Sequence, residues 1–416
     1  MEKTSPDASF VDKKVSNKTI CNEIPYRFYT DPEIYKQEQT YIFGGRSWNY
    51  VGLGAEIPKF GDFKRSTVGS IPIILVRAKD GTVNAFVNQC THHGAQLCLH
   101  NFGNATSFQC PYHQWNFDTQ GNLRGIPFQK GVNGQGGMAD DFDPKNYGLH
   151  RLNVTERHGV FFASFEPNME TFEEYLGSTM LNYFDRVFDG RELYVLGYFR
   201  QVINSNWKLI FENTKDPYHA TILHAFLVTF GLWRADQKSE VRIDETGRHA
   251  CLISSKGKQV SKEVKTETTS FVNSMKLQGP QLLEATDEFP GYETCVMQTL
   301  YPNLIVQQQV NTLATRQIVP SSPDRSELVW TFFGYADDTP EIKAQRLRQA
   351  NLMGPAGYVS ADDSEILQCL QNGINPYDRE AAILKMGGNG CEDADHMLTE
   401  SAIRAFYTYY RNVMGV

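Results

Sequence analysis

The sequence predicts an α+β protein with two unlike parts. A small all-β domain spans 46–166, and a larger domain at 167–416 is built on one large antiparallel sheet covered by helices. An N-terminal arm and helix, 1–45, packs on the larger domain. Three observations predict this. Short β-rich runs alternate with hairpin turn signals up to about residue 166. From about 168 helical stretches mix with long strands. Residues 293–335 then carry four strand signals in succession.

Residues 1–40 read as a loose arm ending in a short helix, Asp31 to Gln39. Strand signals begin near Trp48-Asn49-Tyr50-Val51. Ile71 to Val76 and Val83 to Val87 flank Asp80-Gly81, a strong hairpin turn signal. A second hairpin follows Trp115-Asn116-Phe117 and turns at Thr119-Gln120-Gly121-Asn122. Gly159 to Phe165 closes the β region. A helix is expected from Thr171 to Tyr183. Four strands are expected at Glu293–Leu300, Leu304–Val310, Leu313–Val319 and Leu328–Gly334. Thr339-Pro340-Glu341 opens a helix, with threonine as N-cap and proline at the first helical position. A last amphipathic helix covers Thr399 to Met414.

The chain has 416 residues, 41% of them apolar and 21% charged, with a net charge of −8. That is ordinary globular composition. The acidic balance argues against nucleic acid or an anionic membrane as main partner. No apolar run approaches the roughly 20 residues needed to span a bilayer, and the N-terminus has no apolar signal region. Two of the eight cysteines fall in a metal-ligand pattern. The other six (Cys21, Cys98, Cys251, Cys295, Cys369, Cys391) read as reduced, mostly buried thiols of a cytoplasmic protein.

That pattern is Cys90-Thr91-His92, then 17 residues, then Cys110-Pro111-Tyr112-His113. Two thiolates and two imidazoles arrive as two short pairs on separate loops. Tetrahedral zinc accepts such a set, as does a mononuclear iron. A two-iron, two-sulfide cluster in which two His replace two Cys on one iron is the third possibility. Each loop here offers one ligand of each kind, whereas zinc sites more often draw like ligands from one loop. The alternation favours the cluster.

A second constellation lies in Asn206-Trp207-Lys208, Glu212-Asn213, Asp216-Pro217-Tyr218-His219 and His224. Asp216 and His219 are three apart and share a helical face; the two histidines are five apart and do not. They converge on one ion only if the helix ends or bulges between them. Otherwise they are a pair of buried structural histidines. A third ligand would come from Asp362-Asp363, which follow the turn Gly354-Pro355-Ala356-Gly357 and open a helix toward Leu370. Either aspartate could equally be an N-cap or a first-turn acid. A two-His, one-carboxylate triad leaves one face of Fe(II) open for O2 and substrate.

With both motifs in this order, the chain resembles the large (α) subunit of the terminal oxygenase in Rieske non-heme iron aromatic-ring-hydroxylating systems. The likeness covers nearly all of the chain beyond the first 25 or so residues. Within that family it is most similar to the group acting on benzoates: salicylate 5-hydroxylase first, then ortho-halobenzoate, anthranilate and terephthalate dioxygenases. Tyr183-Phe184-Asp185-Arg186-Val187-Phe188 and Thr229-Phe230-Gly231-Leu232-Trp233-Arg234-Ala235-Asp236 carry this finer likeness.

The resemblance implies that Cys90 and Cys110 hold one iron of a [2Fe-2S] cluster and His92 and His113 the other. His219, His224 and Asp363 would hold the mononuclear Fe(II). Asp216 would bridge His219 and His113 of a neighbouring subunit, and Asn213 would line the iron pocket. The family's usual Arg after the first cluster His is His93 here. Arg316 falls where the terephthalate enzymes place a carboxylate-binding Arg, while their second such Arg falls at about Met397, which argues for a monocarboxylate. Gln309 is a candidate partner for an ortho hydroxyl or carboxylate. For both the plain alternative is strand polarity.

Electrons would come from NAD(P)H through a reductase and a ferredoxin. Substrates would be O2 and an aromatic acid, in an α3 assembly or, with a small β subunit, α3β3. The expected reaction is ring hydroxylation of an aromatic monocarboxylate; the alternative is cis-dihydroxylation of an ortho-substituted benzoate such as anthranilate. An electron-transfer protein using only the cluster would leave the second constellation without a task. A zinc-stapled binding protein would be colourless.

Overall fold

A computed structural model describes residues 20–257, 259–375 and 381–416; the arm upstream of residue 20 lies outside the described residues. The chain begins with β1 (Glu23–Pro25), α1 (Arg27–Thr30) and α2 (Pro32–Glu38). The β region comprises β2 (Asn49–Leu53), β3 (Asp62–Val68), β4 (Ile71–Arg77), β5 (Val83–Val87) and β6 (Phe102–Asn104). It continues with β7 (Ser107–Gln109), β8 (Asn116–Asp118), β9 (Leu123–Gly125), β10 (Arg151–Arg157) and β11 (Val160–Ser164). Next come α3 (Phe172–Val187), β12 (Leu193–Ile203), α4 (Trp207–Asn213), α5 (Pro217–Ala220) and α6 (Ala225–Thr229). They are followed by β13 (Ser239–Ile243), β14 (Ala250–Ser254), α7 (Lys262–Glu267), β15 (Cys295–Leu300) and β16 (Leu304–Gln309). The chain closes with β17 (Thr312–Ser322), β18 (Arg325–Tyr335), α8 (Pro340–Met353), α9 (Tyr358–Ile374), β19 (Ala381–Ile383) and α10 (Ser401–Met414).

The β region holds a seven-stranded sheet in the order β2-β11-β10-β5-β4-β3-β6 and a three-stranded sheet β7-β8-β9. The run Ile73–Val76 is wholly buried because β4 is covered on both faces. Ile73 and Leu75 join the core shared with the helices, while Ile74 and Val76 join the core around Cys90 and Cys110. At the second hairpin Gly121 adopts φ +78°, and a Cβ there would stand 2.5 Å from the Phe86 ring, so only glycine fits the turn.

The second sheet is antiparallel in the order β12-β18-β17-β16-β15-β14-β13, as the strand succession at 293–335 predicts. Leu304 and Val306 of β16 face the core built with α3, whereas Ile305 lies in the core on the opposite face. Period-two alternation therefore puts Gln307 and Gln309 on the Ile305 face. The β region is joined to this sheet by β2: Tyr50 N donates to Asn303 Oδ1 (2.9 Å), and Gln317 Nε2 donates to Tyr50 O (2.9 Å).

Thr171 caps α3 in a reciprocal box with Glu174, and Thr339 caps α8 with Pro340 at its first position. One boundary differs from expectation. The helix expected to open at Asp362-Asp363 begins at Tyr358 with Gly357 as its N-cap. The turn residues Gly354 and Gly357 end earlier than the acid pair suggested, so neither aspartate is a cap.

Glu38, at the end of α2, is fully buried and ties the arm to the α+β part. Its carboxylate takes hydrogen bonds from Lys208 Nζ (2.5 Å), Trp207 Nε1 (2.8 Å) and Tyr410 OH (2.6 Å). Burial lowers the pKa of Lys208, and Glu38 opposes that shift. Glu38→Ala would strand the buried ammonium, so we expect a loss of about 3–5 kcal/mol, read as a lower denaturation midpoint at unchanged cluster absorbance.

Candidate metal centres and substrate cavity

Cys90 and Cys110 sit in two loops of the same design. Cys90 N donates to Ala95 O (2.8 Å) and Gly94 N donates to Cys90 O (2.9 Å). Cys110 N donates to Trp115 O (2.8 Å) and Gln114 N donates to Cys110 O (3.0 Å). The fourth residue after each cysteine is left-handed: Gly94 at φ +79° and Gln114 at φ +58°. A glutamine in that region is uncommon, and here the loop's backbone pairing demands it.

The two loops bring the thiols together. Cys90 and Cys110 are buried, and burial, with the neighbouring Cys110 thiol adding to it, raises the pKa of Cys90. Above them the His92 and His113 rings lie 4.7 Å apart, and His92 stacks on Trp115 at 4.4 Å. His113 Nδ1 is buried without a hydrogen-bond partner. The exposed His93 joins them, its ring 4.1 Å from His92. Two buried thiols and two imidazoles on tandem loops fit the cluster's donor set.

The second constellation closes as the spacing required. Helix α5 ends at Ala220, just past His219, and His224 is the N-cap of α6. The break lets both rings turn to one point. His219 Nε2 and His224 Nε2 stand 3.4 and 3.2 Å from Asp363 Oδ1. Each ring has its own carboxylate behind it: Asp216 Oδ2 is 3.3 Å from His219 Nδ1, and Asp362 Oδ2 is 3.3 Å from His224 Nδ1. Such carboxylate backing fixes a ligand imidazole's tautomer and basicity. Asp362, which the sequence left undecided beside Asp363, thus has a distinct place behind His224.

Asp216 also caps α5, accepting from Tyr218 N (2.8 Å) and His219 N (3.2 Å). Asn213 Nδ2 is 3.1 Å from both His219 Nε2 and Asp363 Oδ1. Burial works to lower the His219 pKa, but Asp216 and Asp363 outweigh it and push it up to about 10. Burial works to raise Asp363, yet His219 and His224 hold it well below the carboxylate range. This concentration of negative field on two imidazoles is what a bound cation compensates. The donor set fits Fe(II) with an open face.

One cavity runs from this triad to the sheet, and it is lined there by Gln309, Arg316, Trp330, Met297 and Cys295. Arg316 is buried, and its guanidinium lies 4.3 Å over the Trp330 ring. Burial lowers its pKa to about 10, with Asp363 opposing the shift. Among the described residues no carboxylate forms an ion pair with it. Arg316 and Gln309 both face this cavity. Met397 is buried in the apolar core beside α6.

Residues 47–135 match the family model of the Rieske [2Fe-2S] domain, and residues 189–416 match that of the ring hydroxylating alpha subunit (catalytic domain). The chain is 47% identical to the large oxygenase component of salicylate 5-hydroxylase from Ralstonia sp, covering 95% of each chain. It is 42% identical to the large subunit of anthranilate 1,2-dioxygenase from Burkholderia cepacia, over 95% of this chain and 94% of that one. Its fold matches naphthalene 1,2-dioxygenase from Rhodococcus sp. with a TM-score of 0.77 at 23% identity, covering 94% of each chain.

A β domain built for a Rieske cluster, joined to a sheet-and-helix domain whose helices α5, α6 and α9 carry a two-His, one-carboxylate triad, defines an iron-dependent oxygenase. The chain belongs to the ring-hydroxylating oxygenase alpha-subunit family; its cofactors are a Rieske [2Fe-2S] cluster and a mononuclear iron. Among the described residues no helix is long and apolar enough to cross a membrane.

Proposed function

We propose that the chain is the large subunit of an oxygenase that hydroxylates an aromatic monocarboxylate, with salicylate as the first substrate to try. The observation that carries this is Arg316, a buried guanidinium that forms no ion pair among the described residues, in the same cavity as the triad. An unpaired buried charge is costly, and a carboxylate docking on it relieves that cost. The ring then lies in the apolar space between Arg316 and the triad.

The arm is 1–45, the Rieske domain 46–166 and the catalytic domain 167–416. Cys90 and Cys110 hold one iron of the cluster, His92 and His113 the other, and His219, His224 and Asp363 hold the mononuclear iron. When bound, the two centres supply electron relay and O2 activation. Asp216 orients His219 and links it to His113 of the partner subunit, in keeping with the unpartnered His113 Nδ1. That link crosses a subunit boundary in a trimer. Asn213 contacts both His219 and Asp363 and keeps their geometry. A ferredoxin and an NAD(P)H reductase supply the electrons in the cytoplasm, and a small β subunit completes an α3β3 assembly.

Product analysis with a panel of aromatic acids and a reconstituted electron chain tests the reading. A hydroxylated monocarboxylate supports it; turnover of neutral arenes alone overturns it. A cis-dihydrodiol, or its rearomatised catechol, from anthranilate would instead favour the dihydroxylating reading that the second relative suggests. Arg316→Met is expected to raise KM for aromatic acids about 10- to 100-fold, the worth of a hydrogen bond to a charged group, with kcat changed far less.

A further inference from the structure

Gln307 does not line the cavity, yet it hydrogen-bonds Arg316 and Gln309, which do. It stands on β16 directly opposite Ala314, whose small side chain leaves the diagonal contact to Arg316 open. Gln307 Oε1 accepts from Arg316 Nε (2.9 Å), and Gln307 Nε2 donates to Gln309 Oε1 (2.8 Å). All three side chains are buried.

These two bonds fix more than position. An arginine only donates, so the Gln307 amide must turn its oxygen to Arg316 and its nitrogen to Gln309. Gln309 must then turn its own oxygen to Gln307, leaving its amide nitrogen as the group offered to the cavity. With Nε engaged by Gln307 and Nη2 3.0 Å from Met297 Sδ, the guanidinium is held over the Trp330 ring. The end of the cavity away from the triad therefore presents donors side by side. Without Gln307 the Gln309 amide is free to turn over and offer a carbonyl, and Arg316 loses its only side-chain oxygen partner among the described residues.

We propose that Gln307 is a positioning residue that sets this end of the cavity as a donor pair, and so selects an aromatic carboxylate over its neutral isosteres. The inference rests on the aromatic-acid reading given above. Salicylate and salicylamide separate the two: ring, hydroxyl and size are alike, but the amide is uncharged and brings an NH2 group toward donors.

The test is equilibrium binding of both ligands to the holoenzyme, wild type against Gln307→Met and Gln307→Glu, with iron content and cluster absorbance confirming an intact protein. The wild type is expected to favour salicylate. In Gln307→Met, of similar shape but without the amide, the salicylate Kd should rise about tenfold or more while salicylamide shifts less than about threefold, because only the ionic ligand uses the donor pair. Gln307→Glu keeps an acceptor for Arg316 Nε but cancels its charge, so salicylate should weaken at least as much. Equal weakening of both ligands, or no change in either, overturns the positioning role. A wild type without preference for salicylate overturns the aromatic-acid reading itself, before any variant is made.

Discussion

Asp363→Ala is expected to abolish turnover and to lower the iron content by about one per chain while leaving the cluster's two irons and its colour in place. Asp363 Oδ1 is the point on which both histidine Nε2 atoms converge, at 3.2 and 3.4 Å. Without that oxygen the two imidazoles have no third donor to complete a facial triad. Neighbouring Asp362 cannot replace it, because its carboxylate lies behind His224 at Nδ1. Asp363 sits in the second turn of α9 and caps nothing, so the variant should fold. Iron and sulfide analysis beside a turnover assay checks this. Retained iron with retained activity would remove Asp363 from the site.

Asp216→Asn should keep both metal centres and still lose about 100-fold in turnover, the upper range for a carboxylate that backs a metal-bound imidazole. Asparagine is as good an N-cap as aspartate, so the two backbone bonds that start α5 survive. What disappears is the negative charge 3.3 Å from His219 Nδ1 and the acceptor proposed for His113 of the partner subunit. Rapid reduction of the cluster followed by slow product formation in a single turnover is the expected signature. Wild-type rates with a full electron chain would end the bridging role. Asp216→Ala should show the same defect with an added loss of stability from the missing cap.

Much of this site was legible before the fold because its information is local. Cys90, His92, Cys110 and His113 lie in two short loops, and the ligand types alone narrow the chemistry. The histidine pair was legible as a condition: His219 and His224 converge only if a helix ends between them, and α5 does end there. The choice between Asp362 and Asp363 came from resemblance, since adjacent residues on a helix point about 100° apart and spacing cannot say which faces the histidines. Gln307 carried no signal at all. A glutamine in a strand reads as ordinary polarity until the cross-strand neighbour is known, and Arg316 is nine residues away in the chain. The Glu38–Lys208 lock was hidden for the same reason, its partners being 170 residues apart. Arg316 was visible as a candidate, but its burial without an ion-pair partner among the described residues is a property of the packed state.

The account rests on two iron centres in one polypeptide, and counting metal and acid-labile sulfide on the purified native protein tests it most directly. About three irons and two sulfides per chain are predicted, with a red-brown colour that bleaches on reduction. Two irons with two sulfides, in a preparation that takes up no further Fe(II), would contradict the oxygenase account, and stoichiometric zinc without sulfide would contradict both centres at once.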